Sequence, residues 1–202
     1  MIKKLSLIFG SKTKAQEILF LQDGAKKVVR QGFYDHELPQ VESYCKKHHL
    51  YLVKSRFKVI LADDSSYSNK GIRIPETDKR PGMFFVYISK DEEKSWLAAY
   101  HEMMNNSGEL GKVLGYPKCC VEYFTKHFSD IYTDLQKQPT NPWTNLSKRD
   151  KDSVLISHFP CDTDCHESMK IARMNLDIIT AHDPKRAKEM MKELWSKKSG
   201  NL

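Results

Sequence analysis

The chain has 202 residues, of which 40% are hydrophobic and 29% charged. That is the size of one ordinary domain with enough apolar material for a real core, and it excludes disorder, which needs low hydrophobicity with high net charge. Thirty-three Lys and Arg against 26 Asp and Glu leave a net charge of +7, a balance that admits nucleic acid or another polyanion as a partner and says nothing about fold.

At the N-terminus, Lys3 and Lys4 precede the short apolar run Leu5-Ser6-Leu7-Ile8-Phe9, which Gly10, Ser11 and Lys12 interrupt. This run and Met83 to Ile88 fall far short of the roughly 20 residues a membrane span requires. A signal peptide would need a longer apolar region and a small-residue cleavage site. The expectation is a soluble, cytoplasmic protein with no membrane partner. In residues 13–31, Ile18, Leu19, Leu21, Ala25, Val28 and Val29 recur near a helical period, with Asp23-Gly24 as a possible break. Residues 37–48 read as a second helix carrying Leu38, Val41, Tyr44 and Cys45 on one face, which makes Cys45 a core residue.

Strands follow. Tyr51 to Ala62 is rich in Val, Ile, Phe and Leu and ends in Asp63-Asp64-Ser65-Ser66; Gly71 to Ile74 precedes Pro75; Met83 to Ser89 follows the turn-like Lys79-Arg80-Pro81-Gly82. Polar connections without helices between them predict an antiparallel meander. From Asp91 onward the pattern is helical. Asp91-Glu92-Glu93 suit the positive end of a helix that runs through Trp96, Leu97, Tyr100 and Met104 and stops at Asn105-Asn106-Ser107-Gly108. Residues 129–157, with Pro139, Pro142 and Asn145, read as irregular, and two further helices are expected at 165–181 and 185–196, split by Asp183-Pro184. The fold class is therefore α+β, with a small antiparallel sheet in the first half and a helical second half that carries the cysteine pairs. Residues 1–202 read as a single domain: helices plus small sheet over 1–90, a helical cysteine-bearing part over 91–202.

Four of the five cysteines fall into two tight pairs, Cys119-Cys120 and Cys161/Cys165. An odd number in a chain this long is awkward for a disulfide framework, and clustered thiols in a reducing compartment point to metal or thiol chemistry. In Gly115-Tyr116-Pro117-Lys118-Cys119-Cys120, Pro117 suits a first helical turn and places both cysteines there. In His158-Phe159-Pro160-Cys161-Asp162-Thr163-Asp164-Cys165-His166-Glu167, Asp164 and Glu167 form a capping-box-like pair that puts Cys165 at the first helical position. Both pairs thus sit at the positive end of a helix, where a thiolate is favoured. The candidate metal ligands are Cys119, Cys120, Cys161, Cys165 and His158, and the cofactor they would take is an iron–sulfur cluster or zinc. Adjacent cysteines diverge by about 100° on a helix, so both can serve one site only near a helix end or across a multinuclear cluster. A disulfide and a catalytic thiol are the alternatives.

These two segments resemble the signature of an uncharacterised, mainly archaeal family, domain of unknown function 483. Its pattern is Gly-Tyr-Pro-x-Cys-Cys-x-x-x-Phe followed by His-x-Pro-Cys-x-x-x-Cys-x-x-Ser, met here over Gly115 to Phe124 and His158 to Ser168. A more distant resemblance is to the Cys-Cys-Gly iron–sulfur modules of disulfide reductases; here Val121 stands in the glycine's place, and the later pair is separated by three residues instead of two.

Other motifs carry little. His101-Glu102-Met103-Met104-Asn105 lacks the second histidine of the zinc-protease motif, so His101 and Glu102 read as exposed polar residues. His166 and Glu167 read as surface and capping residues, and Tyr116 as a packing residue. The lysine-rich stretches around Lys26-Lys27-Arg30, Lys46-Lys47 and Lys185 to Lys198 read as solvated surface. Two functions follow: a metal- or iron–sulfur-binding protein, as an enzyme of small-molecule or RNA modification, or a basic nucleic-acid-binding module whose cysteines are structural.

Overall fold

The structure is a computed structural model in which residues 1–61, 71–129, 131–138 and 140–196 are described. Ala62, the Asp63-Asp64-Ser65-Ser66 turn, Pro139, Lys197 and Lys198 lie outside the described residues. The N-terminal apolar run, to which periodicity assigned no element, is helix α1 (Ile2–Phe9), with Ile2, Leu5 and Phe9 buried at helical spacing. It ends at Gly10, whose φ of 81° is the left-handed conformation glycine adopts without steric cost. Helix α2 (Lys12–Asp23) starts at Ser11, whose side chain accepts from the Lys14 N–H, and stops at Gly24 with φ 86°.

The expected helix over 13–31 therefore ends early. Val28 and Val29 belong to strand β1 (Val28–Phe33), because Gly24 breaks the helix and two β-branched residues buried on opposite faces suit a pleated strand. Helix α3 (Leu38–Lys47) buries Leu38, Val41, Tyr44 and Cys45, the face the spacing predicts. Then come β2 (Tyr51–Leu61), β3 (Gly71–Pro75) and β4 (Met83–Ser89). Pro75 lies inside β3, which is an edge strand and tolerates a missing donor.

The sheet is antiparallel, but it is not a meander. Its order is β1-β4-β2-β3: β2 and β3 form a hairpin, and β4 inserts between β2 and β1. Since β1 and β2 both run antiparallel to β4, they are parallel to each other, joined through α3 as a split crossover. The unrecognised strand was β1, and without it the crossover is invisible. One sheet face carries Val29, Phe33, Phe84, Val86 and Ile88 into the main core with α1, α2 and α3; the other carries Val28 and Tyr87 into a smaller core with Ala98 and Leu114.

Helix α4 (Glu92–Met103) covers that second face; its acidic start is as expected, with Glu92 and Glu93 in the first turn and Asp91 as the N-cap, whose side chain accepts from the Lys94 N–H. The buried residues are Ser95, Ala98 and Glu102, while Trp96 (54% exposed) and Tyr100 (52%) face outward. Small side chains let the helix lie close to the sheet, which the large apolar ones would prevent. Asn105, at φ 55°, ends this unit, and Asn106 caps a short helix α5 (Ser107–Val113) that periodicity did not pick out.

Helix α6 (Lys118–His127) follows the left-handed Gly115. The described residues between 129 and 157 are irregular apart from a 3₁₀ turn at Arg149–Lys151, as expected, and α7 (His166–His182) and α8 (Pro184–Leu194) are the last described elements. Within α7, Met174 is exposed, and Asn175 takes the inward place and donates to the Leu155 carbonyl at 2.7 Å. No helix among the described residues is long and apolar enough to cross a membrane.

Candidate metal centre

Two helix starts meet at the cysteines. Pro117 is the N-cap of α6 rather than its first residue, so Cys119 and Cys120 sit in the first turn one place nearer the helix start than a proline-led helix would give. The start of α7 also differs from the capping-box reading. Cys165 itself is the N-cap, and Asp164 instead accepts from the Asn141 side-chain amide at 2.7 Å. In α7 the Ser168 N–H reaches the Cys165 sulfur, and both cysteine pairs lie at the positive end of a helix, which favours negative charge there.

The four sulfur atoms of Cys119, Cys120, Cys161 and Cys165 lie within 4.8 Å of one another and could hold one metal ion. The sulfur of Cys120 is 3.9 Å from that of Cys119 and 3.6 Å from that of Cys165, and Cys119 is 3.8 Å from Cys165. All five cysteines are free thiols. The backbone N–H of Cys161 donates to the Cys120 sulfur at 3.3 Å, and the Ser168 hydroxyl lies 3.2 Å from it. Cys119 is exposed, Cys161 half-buried, and Cys120 and Cys165 buried.

Burial sets the ionisation of these thiols. It pushes Cys120 up, against hydrogen bonds from Ser168 and the Cys161 N–H, and it pushes Cys161 up to about 12 with the help of neighbouring Cys119 and Cys165. For Cys165 burial is outweighed by hydrogen bonds from the Ser168 hydroxyl and N–H and from the other thiols, which bring it down to about 7. Four thiols held this close cannot all ionise without a compensating cation, and a divalent ion is the simplest compensation.

His158 is not among the sulfurs. It is 6% exposed, and its Nε2 lies 2.9 Å from the Ser168 hydroxyl, which in turn touches Cys120. Burial, then Lys26 and Arg149, push its imidazole down to about 3, so it stays neutral. A neutral ring one hydroxyl behind a ligand is how outer groups orient a metal site. The Tyr116 ring lies 5.0 Å from the His158 ring and its hydroxyl donates to the Ser157 carbonyl at 3.4 Å. Ser168 went unrecognised from its residue type, although its fixed offset after Cys165 was legible. His166 and Glu167 are exposed and paired with each other at 3.2 Å.

The larger omission is Glu102. Read as exposed, it is 6% exposed and receives Arg30 through Nε and Nη2 and Arg73 through Nη2. His101 is half-buried. The solvated-surface reading fails around Lys26 too: its ammonium is buried between Glu17 (2.6 Å) and Ser157 (2.7 Å).

Cys45 stands apart, buried among Phe9, Val41 and Tyr44 in the main core, its thiol pushed up to about 12 by burial and then by Glu42. Cys45→Ala is expected to cost about 1 kcal/mol of stability, as small deletions in a core do. It should leave metal content, read by elemental analysis, unchanged.

Fold and site together define an α+β chain in which two helix N-termini present four converging cysteines. The family model described as "Protein of unknown function (DUF483)" matches residues 95–195, half of the chain and both cysteine segments, and the chain belongs to that family. No curated protein and no solved structure matches it.

Proposed function

We propose that Cys119, Cys120, Cys161 and Cys165 bind one tetrahedral metal ion, zinc before iron, and that the protein acts on a small molecule beside that centre. The observation that carries this is the spacing of the sulfurs. Zinc–sulfur bonds of about 2.3 Å put tetrahedral sulfurs about 3.8 Å apart; the separations of 3.6, 3.8 and 3.9 Å among Cys119, Cys120 and Cys165 match that edge, and the Cys161 sulfur lies within 4.8 Å of all three. An iron–sulfur cluster divides the four cysteines between two or four irons, and so spreads the sulfurs held by different irons further apart. With four cysteines closing the tetrahedron, His158 is left to orient Ser168 rather than to ligate. Such an ion would staple the start of α6 to the start of α7, and reduced thiols fit a cytoplasmic setting. A core that joins Ile2, Phe9 and Phe20 to Ile179 and Met190 supports reading residues 1–202 as one domain.

Elemental analysis of anaerobically purified protein tests this. The expected result is a colourless protein with one zinc per chain. A brown protein with several irons per chain would replace the single ion with a cluster. A metal-free, fully folded protein with steeply salt-dependent RNA or DNA binding would instead support the basic nucleic-acid-binding module, which draws on the net charge of +7.

A further inference from the structure

A cavity of about 480 Å³ opens beside the sulfur cluster, sharing Cys120 as a wall residue. That volume lies in the range of small-molecule sites. Its polar wall holds Arg30, Arg73, Arg149, Glu102 and His101. Among the described lining residues three guanidinium groups face one carboxylate. Its apolar wall includes Leu110, Phe124, Phe128 and Phe159.

The guanidiniums are built in. Arg30 comes from β1 and Arg73 from β3, the opposite edges of the sheet, and both converge on Glu102 of α4. Arg30 lies 3.8 Å over the Phe85 ring, Arg73 4.4 Å over Phe57, and Arg149 5.5 Å over Phe159. Stacking and a shared carboxylate hold the planar forks in place before any ligand arrives. Arg30 commits Nε and Nη2 to Glu102; Arg73 commits Nη2 to Glu102 and Nη1 to the Asn105 side chain at 2.5 Å. Each guanidinium has five donors, more than these acceptors take. On the same wall, His101 Nδ1 is buried with no hydrogen-bond partner among the described residues.

We propose that this cavity binds a small organic anion, its carboxylate or phosphate on Arg30 and Arg73 and its flat apolar body against Phe124, Phe128 and Phe159. Guanidinium forks read both oxyanions, and the aromatic wall selects against bare inorganic ions. The inference goes beyond the metal reading and does not need the identity of the ion.

The test is calorimetric titration of the full, as-purified chain with benzoate, phenyl phosphate and neutral benzamide, with metal content measured on each sample. The expected result is saturable binding of at least one anion, tenfold or more tighter than benzamide. Benzoate and phenyl phosphate separate a carboxylate from a phosphate ligand. Arg73→Gln, at the rim, should weaken that anion tenfold or more at unchanged metal content. Thr125→Trp, on the exposed, cavity-lining part of α6, should block it while leaving the melting temperature near wild type. Equal binding of anion and benzamide, no saturable binding of either anion, or anion binding indifferent to both variants would overturn the proposal. Loss of metal with anion binding intact would instead count against the metal reading alone.

Discussion

Cys120→Ser is expected to remove the bound ion and to lower the melting temperature by roughly 8–16 °C. Cys120 is the hub of the cluster: it is buried, lies against the sulfurs of Cys119 and Cys165 and the Ser168 hydroxyl, and receives the Cys161 N–H. Structural zinc contributes apparent binding energies of about 10–16 kcal/mol in small domains. A chain with its own core forfeits only part of that, about 4 kcal/mol, and each kcal/mol moves the midpoint of a domain this size by roughly 2–4 °C. Treating the wild type with a strong chelator should reproduce the same drop, since removing the ion and removing its hub ligand lead to one state. Stoichiometric zinc in the variant, or a midpoint within the measurement error of wild type, would end the four-cysteine assignment.

Glu102→Gln is expected to destabilise the fold by about 3 kcal/mol at neutral pH, read by denaturant unfolding. Removing one partner of a buried ion pair strands the other, at a typical cost of about 3–5 kcal/mol. The lower end applies because the Arg30 and Arg73 side chains keep 31% and 36% of their surface exposed. The acid limb carries a second signature. Burial raises the Glu102 carboxyl, but Arg30 and then Arg73 outweigh it and hold it below its ordinary 4.5. In the window between that depressed value and the unfolded one, the unfolded chain binds more protons, so this contribution is complete above about pH 4.5 and is lost as pH falls through the folded value. Wild type should therefore converge toward the variant as the medium is acidified below pH 4. A constant gap across pH 3 to 7 would show that Glu102 acts by shape alone.

The cysteine cluster was more legible than the sheet beneath it. Paired cysteines beside prolines announce helix ends, because local chemistry fixes both the turn and the position of the sulfur. Strand β1 hid inside a helical period because Val28 and Val29 are buried on both faces, and two-sided burial has no alternation to read. Helix α4 misled for the opposite reason: its large apolar residues point outward, and its inner face is Ser95, Ala98 and Glu102. A carboxylate in that position looks like surface until the two arginines from distant strands are placed against it. Neither Arg30 nor Arg73 belongs to a local motif, so no window of sequence could have assembled the cavity.

The strand order has a consequence for how the chain is made. Strand β4, last of the four in sequence, lies between β1 and β2, so until Ser89 has been synthesised only the β2–β3 hairpin can form and β1 has no neighbour. Such non-local closure is slow, and α4, which follows within three residues, can dock only once it is complete. A fragment restricted to residues 95–195, the stretch the family model matches, would retain all four clustered cysteines but start life with α4 and the α2-facing side of α7 uncovered and without Arg30 or Arg73. Such a fragment is expected to take up metal and yet bind no anion; that pair of results would make the first ninety residues the part that turns a stapled helical unit into a binding site.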